Sequence, residues 1–366
     1  MNEPERSNTP RVLIAGGGTG GHAIPALCVA AELRARKAIV EFVGSRSGIE
    51  STLVPHQGYT LHALPLAGLA GGPLSQARAG LLSLRAIQRC RRIIQRLEPR
   101  AVLGVGGYAS APAVIAARTL GVPTFLHEQN SVPGRVNRLA SRFTTQTLAT
   151  FPEATGRLGN AVWVGMPTRA EVFEASREDA LRDLGLQPPV VLIFGGSGGA
   201  LRINLAAAEA FGGPTSYTVV QVSGRRDFSR LETNNPRHVI LEFVDDLWRY
   251  LACADVVVSR AGAGSLFDIA AAAKAAILIP FPYATGDHQL HNARYFTDRG
   301  AAELMLDSEV GAREIRDRVE DLLDDDARRD ELARRMGELA TPGAAGEVAR
   351  RLLSATEKEQ GACTYT

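Results

Sequence analysis

Ser259, Arg260, Asp268, Asp287, His288, Gln289 and Asn292 crowd into one stretch, Ala252–Ala293, with Gly262 and Gly264 between Arg260 and Asp268. Val256-Val257-Val258 is a short apolar run suited to a buried parallel strand. Gly262 and Gly264 interrupt the chain after it, and Ser265 opens a helical pattern. A strand, a glycine turn and a helix N-terminus make an anion site, because free backbone N–H groups and the helix dipole converge there. Asp268, one turn into that helix, has two carboxylate oxygens suited to a sugar diol. A second apolar strand, Ala276 to Phe281, leads to Asp287, His288, Gln289 and Asn292. Open α/β sheets bind ligands beyond their strand C-termini, so a parallel sheet turns both clusters toward one crevice. An ordinary βαβ unit would need a glycine for its tight turn but not two polar clusters, so a nucleotide ligand is the preferred reading.

The first half repeats the device. Arg11–Ala15 reads as a strand, Gly16-Gly17-Gly18-Thr19-Gly20-Gly21-His22 as a loop, and Pro25 to about Lys37 as a helix. Gly16, Gly18 and Gly21 formally satisfy a dinucleotide fingerprint with Glu41 as the acid, which makes a nicotinamide enzyme a rival. Glu41, however, sits inside the strand Ile39–Val43 instead of at its end. Ala101–Val105 leads to Gly106-Gly107-Tyr108-Ala109-Ser110, and Thr124–Leu126 leads to His127-Glu128-Gln129-Asn130. Three loops at one sheet edge thus carry His22, Tyr108, His127, Glu128 and Asn130. A single histidine is usually structural, whereas two with a carboxylate on converging loops favour a site.

These loops need two sheets behind them. A chain of 366 residues suggests two domains. The glycine device at Gly16 returns as Gly195-Gly196-Ser197-Gly198-Gly199 after the strand Val190–Phe194, one opening each half. Val219–Ser223 and Val239–Phe243 read as further strands, the latter leading to Val244-Asp245-Asp246. The expected organisation is an acceptor domain over 10–166, with 342–356 crossing back to it, and a donor domain over 167–341. Pro167 and Arg169 lie at the hinge. Asp324-Asp325-Asp326 offers a formal metal pair but reads as a solvated turn beside Arg328 and Arg329, so no metal site is expected.

With 45% apolar and 22% charged residues, the chain has a globular composition, and a net charge of +2 gives no reason to expect nucleic acid. Cys28, Cys90, Cys253 and Cys363 form no CxxC pair, which fits a reducing cytoplasm. The polar start MNEPERSNTP does not read as a signal peptide, and no apolar run reaches spanning length. Any membrane association is therefore expected to be peripheral. The segment Leu66–Arg100 suggests where: Leu66, Leu69 and Leu74 sit in a Gly/Pro-rich loop, and a helix from about Ala79 to Leu97 follows. Arg85, Arg89, Arg92 and Arg96 share one face of it, and Arg78–Arg100 holds seven arginines against Glu98 alone. A solvated helix face would explain the arginines but not the loop leucines. Attraction to anionic headgroups, with Leu69, Leu74 and Leu81 dipping into the bilayer beside Arg85, Arg89 and Arg92, explains both.

The motifs GGGTGGHAIPAL, VLGVGGYAS, LHEQNSVPGRVN, VGMPTR, IFGGSGGA, EFVDD, SRAGAGSLFDIAA and DHQLHNA, taken together, closely resemble the MurG family over nearly the whole chain. Members of that family are N-acetylglucosaminyl transferases that convert lipid I, undecaprenyl-pyrophosphoryl-muramyl-pentapeptide, into lipid II. The resemblance implies an α/β glycosyltransferase B fold: two Rossmann-like parallel-sheet domains facing across a cleft. It implies an inverting hexosyltransferase at the cytoplasmic face of the cell membrane, with UDP-N-acetylglucosamine and lipid I as substrates and no cofactor. It assigns the diphosphate to Ser197 and the Gly195–Gly199 loop, uracil to Val244, and the phosphates to the turn Ala263, Gly264, Ser265 with Leu266 and Phe267 following. Asp268 would take the ribose diol, and Gln289 and Asn292 the sugar hydroxyls. Thr19, Gly20, Gly21, Asn130 and Arg169 would add donor contacts, and Gly18, Tyr108 and His127 would meet the acceptor. The family usually has Glu where Asp268 stands and Asn where Met166 stands.

On this reading the muramyl 4-hydroxyl attacks the anomeric carbon in line and expels UDP. A general base must take its proton, and His22 is the first choice with Glu128 second. A diacylglycerol-directed transferase of the same fold, the nicotinamide enzyme and a non-catalytic nucleotide-sugar sensor are the alternatives.

Overall fold

The protein is seen in a computed structural model that describes residues 9–18, 20–64, 73–107, 110–196 and 199–363, the side chains of 73–81 and 356–363 excepted. The chain divides into two compact units, Met1–Pro167 with Gly343–Thr366, and Thr168–Pro342.

The first unit is built on β1 Arg11–Ala15, β2 Ile39–Ser45, β3 Thr60–Leu64, β4 Ala101–Gly104, β5 Thr124–Glu128, β6 Gln146–Ala149 and β7 Ala161–Trp163. Every pairing is parallel and the order is β3-β2-β1-β4-β5-β6-β7. Apolar side chains on both faces explain why β1 and β4 are buried almost throughout: helices cover each face of a parallel sheet. One face packs Val12, Ile14, Val29, Leu33 and Leu103 against Val348, Ala349 and Leu352 of the last helix, Ala344–Cys363. The other packs Leu13, Val43 and Val102 against Ala86, Cys90, Ile93 and Ile94 of the helix Pro73–Leu97. Burial pushes the Cys90 thiol up to about 12, so it serves as a small apolar side chain there.

The second unit holds β8 Val190–Phe194, β9 Thr218–Val222, β10 His238–Leu241, β11 Val256–Ser259, β12 Ala275–Leu278 and β13 Glu303–Leu304. Its order is β10-β9-β8-β11-β12-β13, again parallel throughout. In each sheet the strand order reverses once, at β1/β4 and at β8/β11, and a glycine loop follows the first strand of each pair. Such a switch point is where doubly wound sheets open a crevice.

Three elements differ from the sequence expectation in ways that bear on function. The first helix starts at Gly20, not Pro25, so His22 lies in its opening turn. Pro25 sits inside it and withdraws the i+4 donor from the Gly21 carbonyl. β5 continues through His127 and Glu128, which turns the histidine into the sheet instead of the loop beyond it. β12 ends at Leu278, leaving Ile279, Pro280 and Phe281 as the start of the loop toward Gln289. Asp324 ends one helix, and Asp325 accepts the Arg328 N–H at 3.0 Å to cap the next. Among the described residues no cluster could hold a metal, and no helix is long and apolar enough to cross a membrane.

Candidate active site

In the first unit the loops after β1 and β4 press backbone on backbone. Gly16, Gly17 and Gly18 have φ of 148°, 144° and 97°, and Gly106 and Gly107 have 92° and 73°, conformations that only glycine adopts freely. A Cβ at Gly107 would lie 2.7 Å from the Gly17 carbonyl oxygen, and one at Gly16 would lie 2.5 Å from Val105 Cγ2. The half-buried His22 ring rests on Gly106, where a Cβ would meet its Cδ2 at 2.9 Å and its Nε2 at 3.0 Å. Gln129 Oε1 is 3.4 Å from the same point, while its Nε2 donates to the Val105 carbonyl at 2.6 Å. His22, Gly106 and Gln129 are therefore brought to one spot at the sheet's C-terminal edge.

Beneath this loop lies a residue the motifs did not single out. Glu50, 2% exposed, accepts the Gly18 N–H through Oε2 and the Ser45 N–H through Oε1, each at 2.7 Å. Cβ atoms at Gly17, Gly44 and Gly48 would fall 2.1, 2.6 and 2.1 Å from its side chain. Glycines from separate segments thus converge on one carboxylate, a pattern invisible until β1 and β2 are paired.

His127 and Glu128 stand differently from the acceptor-loop expectation. His127 is 1% exposed, with Nε2 3.4 Å from both the Gly165 carbonyl and Thr150 Oγ1 and with Nδ1 unpartnered. Burial brings its pKa down to about 4, with the Gly165 carbonyl opposing and the nearby His22 contributing, so the ring is neutral near pH 7 and is not presented to an acceptor. Glu128 accepts from Asn130 N at 2.9 Å, Asn130 Nδ2 at 3.4 Å, Gly134 N at 3.2 Å and Asn137 Nδ2 at 2.9 Å. Burial raises its pKa and those four donors lower it. Its lone pairs are committed to shaping the 128–137 loop. Met166, 1% exposed, is buried with Thr150 Oγ1 4.0 Å from its sulfur, an interior setting that suits a thioether.

The second unit assembles a different set. The helix Ala263–Ala271 starts directly beyond β11, with Gly262 as an extended N-cap that has no side-chain cap hydrogen bond. Leu266 N donates back to the Gly262 carbonyl at 3.0 Å, while Ala263, Gly264 and Ser265 supply the first-turn amides. Leu266 and Phe267 side chains are core residues, at 0% and 2% exposure, and Phe267 stacks edge-on against Phe296; only their backbone could serve a ligand. Asp268 is half-buried, and desolvation lifts its carboxyl to about 6 against the opposing field of Arg169. Arg169 donates through Nη1 to the Asp245 carbonyl at 3.2 Å, and its buried Nε has no partner. An under-solvated acid, an arginine with a spare donor and a helix N-terminus form a site for a group carrying both hydroxyls and negative charge. Val244 lies beside them in the loop after β10, half-buried.

Gln289 Oε1 accepts the Phe281 N–H at 2.9 Å, which anchors the loop after β12. Asn292 is fully buried and donates to the Ala261 carbonyl at 3.3 Å, which supports the loop after β11 from behind. Arg260 does similar work: 7% exposed, it reaches the Ile279 and Pro280 carbonyls at 3.3 and 3.1 Å and pairs with Asp307 at 2.6 Å. Thr19, Leu69, Tyr108 and Ser197 lie outside the described residues, as do the side chains of Leu74 and Leu81.

Residues 12–149 match the glycosyltransferase family 28 N-terminal domain and residues 190–346 its C-terminal domain, so each glycine loop falls within the matched span or at the edge of one. The chain belongs to glycosyltransferase family 28. Within the family it sides with MurG. A relative from Rubrobacter xylanophilus, a UDP-N-acetylglucosamine--N-acetylmuramyl-(pentapeptide) pyrophosphoryl-undecaprenol N-acetylglucosamine transferase, is 62% identical over 336 residues, covering 91% of this chain and 100% of that one. A namesake from Acidithiobacillus ferrooxidans is 40% identical over 353 residues, covering 94% and 96%. The crystal structure of Acinetobacter baumannii MurG superposes with a TM-score of 0.74 at 28% identity, over 94% of this chain and 99% of that one. The expectation of a two-sheet glycosyltransferase B fold is met.

Proposed function

We propose that this family 28 chain transfers N-acetylglucosamine from UDP-N-acetylglucosamine to the muramyl 4-hydroxyl of lipid I, with inversion, to give lipid II. The observation that carries the reading is 62% identity across 91% of the chain to a transferase named for that donor and acceptor. The second unit's chemistry supports it. Amides of Ala263, Gly264 and Ser265 and the spare donor of Arg169 suit a diphosphate, and the Asp268 carboxylate suits a diol. In the first unit His22 takes the proton of the attacking hydroxyl, since Glu128 is engaged by four donors. Charge on departing UDP is met by helix N-terminal amides and Arg169 without a metal, so a chelator should leave the rate unchanged. Incubation with radiolabelled UDP-N-acetylglucosamine and a lipid I analogue should yield the labelled disaccharide-lipid. Donor binding without that product would overturn the reading in favour of a sensor.

The substrate's polyprenyl tail places the acceptor at a bilayer, and the arginine face of the helix Pro73–Leu97 supports docking at anionic lipid of the cytoplasmic leaflet. Arg85, Arg89, Arg92 and Arg96 line, with His62 of β3, an open cavity of about 580 Å³. Among the described residues none of the four arginines meets an acid, unlike the arginines of the helix Asp326–Glu338. Four exposed cations with no acidic partner among the described residues favour a phosphate-rich surface. Co-sedimentation with phosphatidylglycerol vesicles should fall sharply when Arg85, Arg89 and Arg92 are replaced by Glu; undiminished binding would remove this face from the proposal.

A further inference from the structure

We propose that Glu50 is a positioning residue for sugar transfer, holding the Gly16–His22 segment so that His22 meets the acceptor hydroxyl; this rests on the His22 reading above. Glu50 opens the helix Glu50–His56, where the helix N-terminus favours a carboxylate. Its two oxygens take backbone N–H groups from two different strand ends, Gly18 after β1 and Ser45 at the end of β2. Turning the Gly18 N–H inward fits the run of positive φ at Gly16, Gly17 and Gly18, and Gly17 then presents its carbonyl to Gly107. Two residues beyond Gly18 the helix bearing His22 begins, and the His22 ring reaches Gly106, next to Gly107. The carboxylate thus holds the Gly18 amide beside the Gly17–Gly107 approach, and the imidazole rests on the adjoining Gly106.

Two further observations show how closely the site is fitted to this carboxylate. Gly17, Gly44 and Gly48 each leave room for it that any side chain would fill. Both its oxygens are spent on amides, so a neutral amide at position 50 would set an N–H donor against Gly18 or Ser45 and release one of them. Released, the loop would lose the geometry that a proton transfer demands, and a misplacement of roughly 1 Å costs about 100-fold in rate.

The test compares Glu50→Gln, His22→Ala and the double variant in the lipid I assay, with melting temperatures. Glu50→Gln should lower kcat by about 10-fold or more, as expected for a displaced catalytic group, with the KM for UDP-N-acetylglucosamine nearly unchanged. Combining it with His22→Ala should give a rate no lower than His22→Ala alone, because the two act through one group. Wild-type kcat in Glu50→Gln beside a slow His22→Ala overturns the positioning role and spares the His22 reading. Losses that multiply in the double variant also overturn it, since Glu50 would then act apart from His22. A slow Glu50→Gln beside an unimpaired His22→Ala overturns the His22 reading and the assignment of Glu50 to it. Should Glu50→Gln fail to fold, Glu50→Asp, which keeps the charge but draws it back by one methylene, is read by the same criteria.

Discussion

The two glycine loops share a place in their sheets and a composition, yet they are underpinned in opposite ways. Under the first, Glu50 takes an N–H from the loop itself, so the Gly18 amide is already engaged. Under the second, Asp227 is equally buried at 1% exposure, but side chains satisfy it: Asn204 Nδ2 at 3.0 Å and Arg226 Nε at 3.1 Å. Asp227 only packs under Gly199, 2.8 Å from where a Cβ would stand. The second loop closes on itself, with Gly199 N donating to the Gly196 carbonyl at 3.0 Å. Asn204 and Ser223 continue the support through Gln221 to His238. A carboxylate that consumes loop amides suits a loop that aims a side chain; one neutralised from the side suits a loop that admits an anion. On the proposed reading, the same strand–glycine–helix device would serve chemistry in one unit and donor binding in the other.

The largest expected effect would break this contrast at its root. Gly17→Ala drives a Cβ into the Glu50 carboxyl at a φ of 144°, whereas Gly196→Ala meets nothing within 4 Å at a φ of 83°. Denaturant unfolding should show a loss of about 3 kcal/mol or more for the first, from overpacking added to backbone strain, and about 1 to 2 kcal/mol for the second, from strain alone. Equal losses would mean that Glu50 does not constrain the first loop. Next, His22→Ala should reduce kcat by about 100-fold or more, the scale of general-base catalysis, without weakening nucleotide binding. Unchanged turnover would take the chemistry away from the first loop.

Asp268→Asn sharpens the donor side. The folded pKa of about 6 lies above the ordinary carboxylate value, so wild type loses stability as pH rises from the unfolded value toward 6 and the variant does not. The variant's melting temperature should overtake that of wild type across that window and stay higher above it, while UDP affinity falls. In wild type, donor binding should weaken as pH drops through about 6. Smallest is a likeness between the units: His127 and His238 are both buried and held to about 4. Each stays neutral in the fold while the unfolded chain takes up a proton near pH 6.5, so each removes stability as pH falls from 6.5 toward 4. His238→Gln should flatten the acid limb of a melting-temperature profile; an unaltered limb would show that His238 does not titrate there.

Much of this was legible in the chain itself. Apolar runs such as Val190–Phe194 and Val256–Val258 announced buried parallel strands, and the glycine runs marked where they end. The family came through from motifs spread over both halves, because ligand-facing loops carry their chemistry in local order. Misplacements occurred where one or two residues of strand or helix decide orientation. The sequence pattern places His127 in a loop, whereas β5's extension through Glu128 turns it inward. Leu266 and Phe267 in one motif and Asn292 in another sit among partly exposed neighbours, and helix rotation alone buries their side chains.

Local pattern, then, determined the element types, the doubled glycine device and the family, since each depends on neighbours a few residues apart. Only tertiary structure decided which polar groups serve as struts. Glu50 meets Gly18 across 32 positions and Arg260 meets Asp307 through the packing of separate loops. Nothing in a window of sequence distinguishes such a buried, satisfied carboxylate from one left open to a substrate. That distinction lies in which backbone amides the fold brings within hydrogen-bond reach.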